Sequence, residues 1–214
     1  MSRTEGEALE ALVAKYPALA QCEGQIGAAR DALIAAYEKE CKLLLCGNGG
    51  SAADCEHIAG ELLKGFERAR PLRAEQRAAL AAQGAEGQTL ATKLHRALPA
   101  VSLTGHPSFT SAWANDEDPE LGFAQLVLAL GRAGDVLLAI STSGRARNVV
   151  LAVHAARALG MSTIGLSGLG GGELGPLCDV CILVPGERTP EVQELHVPVY
   201  HYLCRAVEAR FFPG

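Results

Sequence analysis

Two loops, each closing a short apolar run, carry residue types that could do chemistry. Gly47-Asn-Gly-Gly-Ser51 follows Leu43-Leu-Leu-Cys46 and supplies glycines that let the backbone approach a ligand. It ends in a hydroxyl at the expected N-cap of the next helix. Ser141-Thr-Ser-Gly144 follows Val136-Leu-Leu-Ala-Ile140 and offers three hydroxyls and backbone N–H groups just ahead of another helix. The unpaired donors and positive potential of a helix N-terminus suit a phosphate. Ordinary capping and turn chemistry draws on the same residues, so one loop alone decides nothing. Two after strands of one sheet point toward an anion. Neither ends in Gly-Lys-Ser/Thr, and neither reads Gly-x-Gly-x-x-Gly, which argues against an NTPase or a dehydrogenase.

The helix after the first loop carries His57 and Glu61 four residues apart, hence on one face. An imidazole and a carboxylate at that spacing can hold a divalent metal or act as an acid–base pair; the pattern also occurs on solvated helix faces. Near the C-terminus, Gln193 and His201 are eight apart. That spacing turns a helix about 80° past two full turns, so both point broadly the same way. His196 falls about 140° from His201 and is not expected to join it. Pro198 should kink this helix. Seven scattered cysteines read as reduced thiols rather than a disulfide framework. Cys178 and Cys181 have metal or redox spacing but lie in a strand-like run without a second pair, and read as buried structural residues.

These positions need a scaffold. Of the 214 residues, 49% are hydrophobic, enough for a sizeable core, and 24 acids outnumber 19 bases. The acidic balance disfavours a nucleic-acid partner. No run of about 18 apolar residues is present, so no membrane span is expected. Residues 1–7 lack a signal-peptide core, and the expected location is cytoplasmic. Residues from Thr4 to about Lys42 show helical stripes with a break at Pro17. Strands are expected at 43–46, 100–103, 136–140, 162–166 and 180–184. They are separated by helices at 52–63, around 123–130, from about 148 to 159, and from 190 to 212. A Gly/Pro/Ser-rich loop follows the second strand and a Gly-rich loop, 167–172, follows the fourth. Short apolar strands alternating with helices predict an α/β fold: a doubly wound, five-stranded parallel sheet with an N-terminal helical extension over 1–41. The whole of 1–214 is read as a single domain. Residues 72–97 form an inserted segment of two short helices and a flexible joint.

Taken together, these residues resemble the sugar isomerase (SIS) domain family, and within it the phosphoheptose isomerases. The resemblance rests on Cys46-Gly-Asn-Gly-Gly-Ser-Ala52, His57-x-x-x-Glu61, Asn115-Asp116, Gly134 to Gly144, and Gln193-Glu-Leu-His196 with His201. It implies conversion of sedoheptulose 7-phosphate to D-glycero-D-manno-heptose 7-phosphate through an enediolate. By the same resemblance Asn48, Gly49, Gly50 and Ser51 would contact the sugar phosphate, and Ser141, Thr142 and Ser143 would bind its phosphate. Asn115 and Asp116 would meet sugar hydroxyls. His57, Glu61, Gln193 and His201 would surround a zinc ion, with Glu61 and His201 as the acid–base pair. Family members are homotetramers with active sites between subunits.

This chain departs from the family pattern around the substrate. Arg145-Ala146 stands where Asn-Ser is usual, removing a hydroxyl at 146 and offering the Arg145 charge instead. Gly65 stands where an arginine is usual, with Lys64 beside it. Two other readings fit the same resemblance. One is a non-catalytic SIS protein binding a sugar phosphate or a protein partner, as the replication-initiator-associating relatives do. The other is an isomerase of a different phosphosugar.

Overall fold

The computed structural model describes residues 5–213. Helix α1 spans Glu5–Lys15 and α2 spans Glu23–Glu38, joined by a 3-10 turn over Pro17–Cys22. The break at Pro17 is thus real, while Thr4, where the helical reading began, lies outside the described residues. Strand β1 is Leu43–Gly47, followed by α3 over Gly50–Leu63. The segment 72–97 forms α4, Ala74–Ala81, and α5, Ala85–Lys93, which pack on each other across Gly84. Then come β2 (Ala100–Ser102), α6 (Pro107–Asp116), α7 (Gly122–Leu130), β3 (Val136–Ile140) and α8 (Arg147–Ala158). The chain closes with β4 (Ser162–Gly168), α9 (Leu174–Leu177), β5 (Val180–Val184) and α10 (Thr189–Phe211).

The five strands form one parallel sheet in the order β2-β1-β3-β4-β5. Alternation along each strand sends residues to opposite faces. Leu43, Leu45, Val136, Leu138 and Ile140 join a core with α1, α2, α3 and α10. Leu44, Cys46, Leu137 and Ala139 join a second core with α7 and α8. Both faces are covered, which is why the strands read as unbroken apolar runs. Successive crossovers run outward from β1 to β2, then return past β1 to β3 and continue to β5. The direction therefore reverses between β1 and β3, where open α/β sheets bind ligands.

Three local expectations need correction. The loop after β2 contains α6: Pro107 pre-sets its first turn, and Phe109 stacks on Trp113 one turn later, with centroids 5.5 Å apart. Ser51 is not the N-cap of α3. Gly49, at φ +54°, takes that position, and Ser51 is buried in the first turn. The Gly-rich segment after β4 is shorter than expected because the strand continues through Ser167 and Gly168. Pro198, where a kink is expected, lies inside α10.

His196 turns away from His201 as its offset requires, and is fully buried. Burial pushes its pKa down to about 4, against a smaller opposing pull from the Ser167 backbone. The unfolded chain binds this proton below about pH 6.5, whereas the native protein refuses it until near pH 4. Stability is therefore lost as pH falls through that window. The expected cost between pH 7 and pH 5 is about 2 kcal/mol, and His196→Leu should remove it. Chemical denaturation of both proteins at the two pH values measures this.

Candidate functional site

The two loops flagged by residue type stand side by side at the switch point, because Gly47 and Ile140 are register partners of adjacent strands. They are clasped by a reciprocal amide pair: Asn48 Nδ2 donates to Asn148 Oδ1 at 2.9 Å, and Asn148 Nδ2 donates to Asn48 Oδ1 at 3.0 Å. Asn148, in the first turn of α8, carried no signal in the sequence, since nothing local links it to residue 48.

The second loop is braced from behind. Gly168 N–H donates to Thr142 O, and Glu173 N–H donates to Gly144 O. Gly144 sits at φ +64° with the Gly171 carbonyl where a Cβ would go, so only glycine fits. This leaves the Ser143 hydroxyl accepting from Arg145 N–H at 3.2 Å, with the Arg145 side chain exposed at the lip. Ser141 is buried, Thr142 half-buried and Ser143 exposed.

Helices α3 and α10 both start at the ligand-binding end of the sheet and pack together on one face. Gln193, in the first turns of α10, lies over Gly50, the first residue of α3. A Cβ at Gly50 would overlap the Gln193 amide nitrogen. Two turns further along, about 10 Å of helix rise, the side chains of His57, Glu61 and His201 converge. His57 Nε2 is 3.3 Å from Glu61 Oε1 and 3.5 Å from His201 Nε2, with the imidazole centroids 5.0 Å apart. The structure thus brings three of the four residues of the expected metal set together and holds Gln193 nearer the loops. Gly50→Ala should displace Gln193 while leaving the fold intact, because the obstructing atom ends a flexible side chain. Its kinetic defect should match that of Gln193→Ala, with melting temperature within about 2 °C of wild type; steady-state kinetics and thermal melts of the two variants check this.

Lys64 donates to Glu61 Oε2 at 2.8 Å. Partial burial would raise the Glu61 pKa, but the Lys64 and His57 contacts outweigh it and hold the carboxyl below its usual range. His201 is held below the ordinary histidine range by burial first, then by the charges of His57 and Arg205. At neutral pH the site therefore has an ionised carboxylate beside a neutral imidazole, the two forms needed to accept protons. Two further side chains escaped the sequence reading. The Tyr200 hydroxyl lies 3.1 Å from His57 Nδ1, and the half-buried Asp54 carboxylate stands near enough for its charge to help push the Tyr200 pKa up, after burial. Tyr200 neighbours His201 and Asp54 precedes His57 by three residues, so helical spacing was the available signal.

Asn115 and Asp116 end α6 beyond the edge strand, exposed, with Asn115 Nδ2 donating to Asp116 Oδ1 at 2.8 Å. Cys178 and Cys181 both pack their sulfurs against Gly165. Burial pushes their thiols up to about 12 and about 11, which keeps them protonated and structural. All seven cysteines are free thiols. No described helix is long and apolar enough to cross a membrane.

The sequence pattern of the SIS domain family matches residues 10–98 and 86–168. The chain is 38% identical to a phosphoheptose isomerase of Laribacter hongkongensis over 217 residues, covering 100% of this chain and 98% of that protein. It is 40% identical to that of Rhodospirillum rubrum, covering 89% and 88%. Among solved structures, phosphoheptose isomerase GmhA from Neisseria gonorrhoeae superposes with a TM-score of 0.73 at 34% identity, covering 94% of each chain. A phosphoheptose isomerase from Francisella tularensis gives 0.74 at 30%, covering 91% and 90%. Sheet, switch-point loops and acid–base cluster, with this kinship, define an enzyme class: isomerases of phosphorylated sugars. The chain belongs to the SIS domain family, in its phosphoheptose isomerase branch.

Proposed function

We propose that the protein interconverts sedoheptulose 7-phosphate and D-glycero-D-manno-heptose 7-phosphate. The observation that carries this reading is the convergence of Glu61, His57 and His201 beneath two anion-suited loops, in a chain matching phosphoheptose isomerases over almost its whole length. The phosphate binds the Ser141, Thr142 and Ser143 hydroxyls and nearby N–H groups, with the Arg145 guanidinium replacing the hydroxyl that Ala146 lacks. Asn48, Gly49, Gly50, Ser51 and Gln193 line the path of the sugar, and Asn115 and Asp116 take its outer hydroxyls. The reactive carbons then reach Glu61 and His201.

Isomerisation moves one proton from C1 to C2 and one from O1 to O2. Glu61, ionised at neutral pH, takes the carbon-bound proton to form the enediolate and returns it to the neighbouring carbon. His201, neutral, carries the hydroxyl proton. Each role contributes about 10²–10⁴-fold.

A zinc ion fits part of this donor set. His57 Nε2, Glu61 Oε1 and His201 Nε2 are donor types zinc takes. Their separations of 3.3 and 3.5 Å approach the edge, about 3.4 Å, of a tetrahedron with bonds of about 2.0–2.1 Å. His57 bridges the other two; among the described residues no group of three His, Cys, Asp or Glu forms a closed metal-holding set. His57, Glu61 and His201 would hold the ion, with Gln193 reaching down from Gly50. Bound there, it would polarise the carbonyl and stabilise the oxyanion. We place the enzyme in the cytoplasm as a homotetramer with sites between subunits, residues 1–214 forming one SIS domain with 1–41 as its helical extension and 72–97 as an insertion.

The test is isomerisation of sedoheptulose 7-phosphate beside other ketose phosphates. The expected outcome is the highest kcat/KM for the heptose. Turnover of only a different ketose phosphate would reassign the substrate, and binding without turnover would support the non-catalytic reading.

A further inference from the structure

Hydrogen bonds fix little of the His201 ring. Its Nε2 lies 3.5 Å from His57 Nε2, and among the described residues no hydrogen bond reaches its Nδ1. The torsion that turns an imidazole is broad, and histidines at working sites are commonly aimed by a partner on the second nitrogen. Here other rings border the imidazole instead. His57 and Tyr200 meet it edge on, with centroids at 5.0 and 4.9 Å and planes at 82° and 77°. Phe66 lies closest to parallel, its centroid 5.6 Å away and its plane tilted by 33°. Offset rings at that range attract each other. Phe66 is itself held in place. Its backbone N–H donates to the buried Glu208 carboxylate at 2.8 Å, and its half-buried ring packs against the core shared by α3 and α10. Glu208 follows His201 on α10 by about two turns. The helix that carries His201 therefore also anchors the loop that brings Phe66 to it. That loop turns at Gly65, where a Cβ would lie 2.8 Å from the Arg68 carbonyl oxygen, so no side chain fits there.

We propose that Phe66 is a positioning residue for His201: its ring limits the turn of the imidazole and keeps Nε2 aimed at the space shared with His57 and Glu61. This rests on His201 belonging to the site proposed above. The Phe66 side chain brings no polar atom to the reaction, so its contribution passes through His201. Losing the ring frees the imidazole to swing out of line, which costs turnover rather than substrate binding.

The test begins with the wild-type protein, in which magnetic resonance should show through-space cross-peaks between the ring protons of Phe66 and the carbon-bound ring protons of His201. Loss of the latter signals in His201→Gln assigns them, and absence of the cross-peaks overturns the proposal. Phe66→Leu keeps an apolar side chain and removes the ring. It should move the His201 ring signals and lower kcat about 10–100-fold, the cost of misplacing a reacting group by about an ångström. KM and melting temperature should change little. Phe66→Tyr, which keeps the ring, should recover most of that loss. In a His201→Ala background, Phe66→Leu should cost nothing further, because the group it positions is gone. Wild-type kcat in Phe66→Leu, or an equal loss in both backgrounds, overturns the proposal. If no sugar phosphate is turned over but the cross-peaks are present and the His201 signals move in Phe66→Leu, the positioning role stands and the isomerase reading fails.

Discussion

Glu61→Gln lowers kcat by about 10²–10⁴-fold, and His201→Ala does the same, with KM changed far less. On the proposed mechanism both side chains work on protons in flight, so their loss would fall on the transition state rather than on ground-state binding. Glutamine keeps the shape of Glu61 and can still meet Lys64, but it cannot accept the carbon-bound proton. The fold should hardly notice: the Lys64–Glu61 pair has Lys64 63% exposed on its side chain, and such pairs contribute about 0–1 kcal/mol. Melting temperatures therefore stay within a few degrees of wild type. Because the residues act as a unit, the double variant should be scarcely worse than the poorer single one. Steady-state kinetics on sedoheptulose 7-phosphate is the measurement. Near-wild-type turnover by either variant would contradict the assignment.

The largest expected effect on stability lies away from the reacting groups. Glu208 on α10 is 1% exposed, and its carboxylate accepts from the backbone N–H groups of Phe66 and Glu67, both at 2.8 Å. It also accepts from Arg68 N–H at 3.2 Å and from Arg70 Nε at 2.8 Å. Arg70, itself buried, donates its other nitrogens to the carbonyls of Glu61 and Leu62, which end α3. One carboxylate thus ties the loop after α3 to α10, and its guanidinium partner caps the helix that carries Glu61. Glu208→Ala strands a buried cation and three N–H groups. The expected loss is about 3–5 kcal/mol, or roughly 6–20 °C in melting temperature for a chain of this size. Glu208→Gln, which keeps the shape and loses the charge, should fall between. A drop in kcat should accompany either, because the last turn of α3 loses its cap. Thermal melts of both variants decide; a shift under about 2 °C for Glu208→Ala would show that the latch contributes little.

Much of the scaffold was legible before folding, for a physical reason. Strands covered on both faces must be apolar throughout, so Leu43–Cys46, Val136–Ile140 and Val180–Val184 announced themselves without context. The α6 helix did not, because Pro107, Ser108, Thr110 and Ser111 look like a loop, and what shapes it includes the Phe109–Trp113 stack. The N-cap of α3 falls two residues before Ser51 because it depends on the backbone angle of Gly49, which its residue type permits but does not require.

The site divides along the same line. Residue types and helical spacing alone placed His57 with Glu61 on one face, put both loops at the ends of strands, and separated His196 from His201. Only tertiary packing decided that His57 would meet His201 across 144 residues of chain, that Asn48 would clasp Asn148, and that Gln193 would rest on Gly50. Spacing within a helix is set by its fixed rise and turn. The separation of two helices is set by how their side chains fill the space on a shared sheet, and no single segment carries that information.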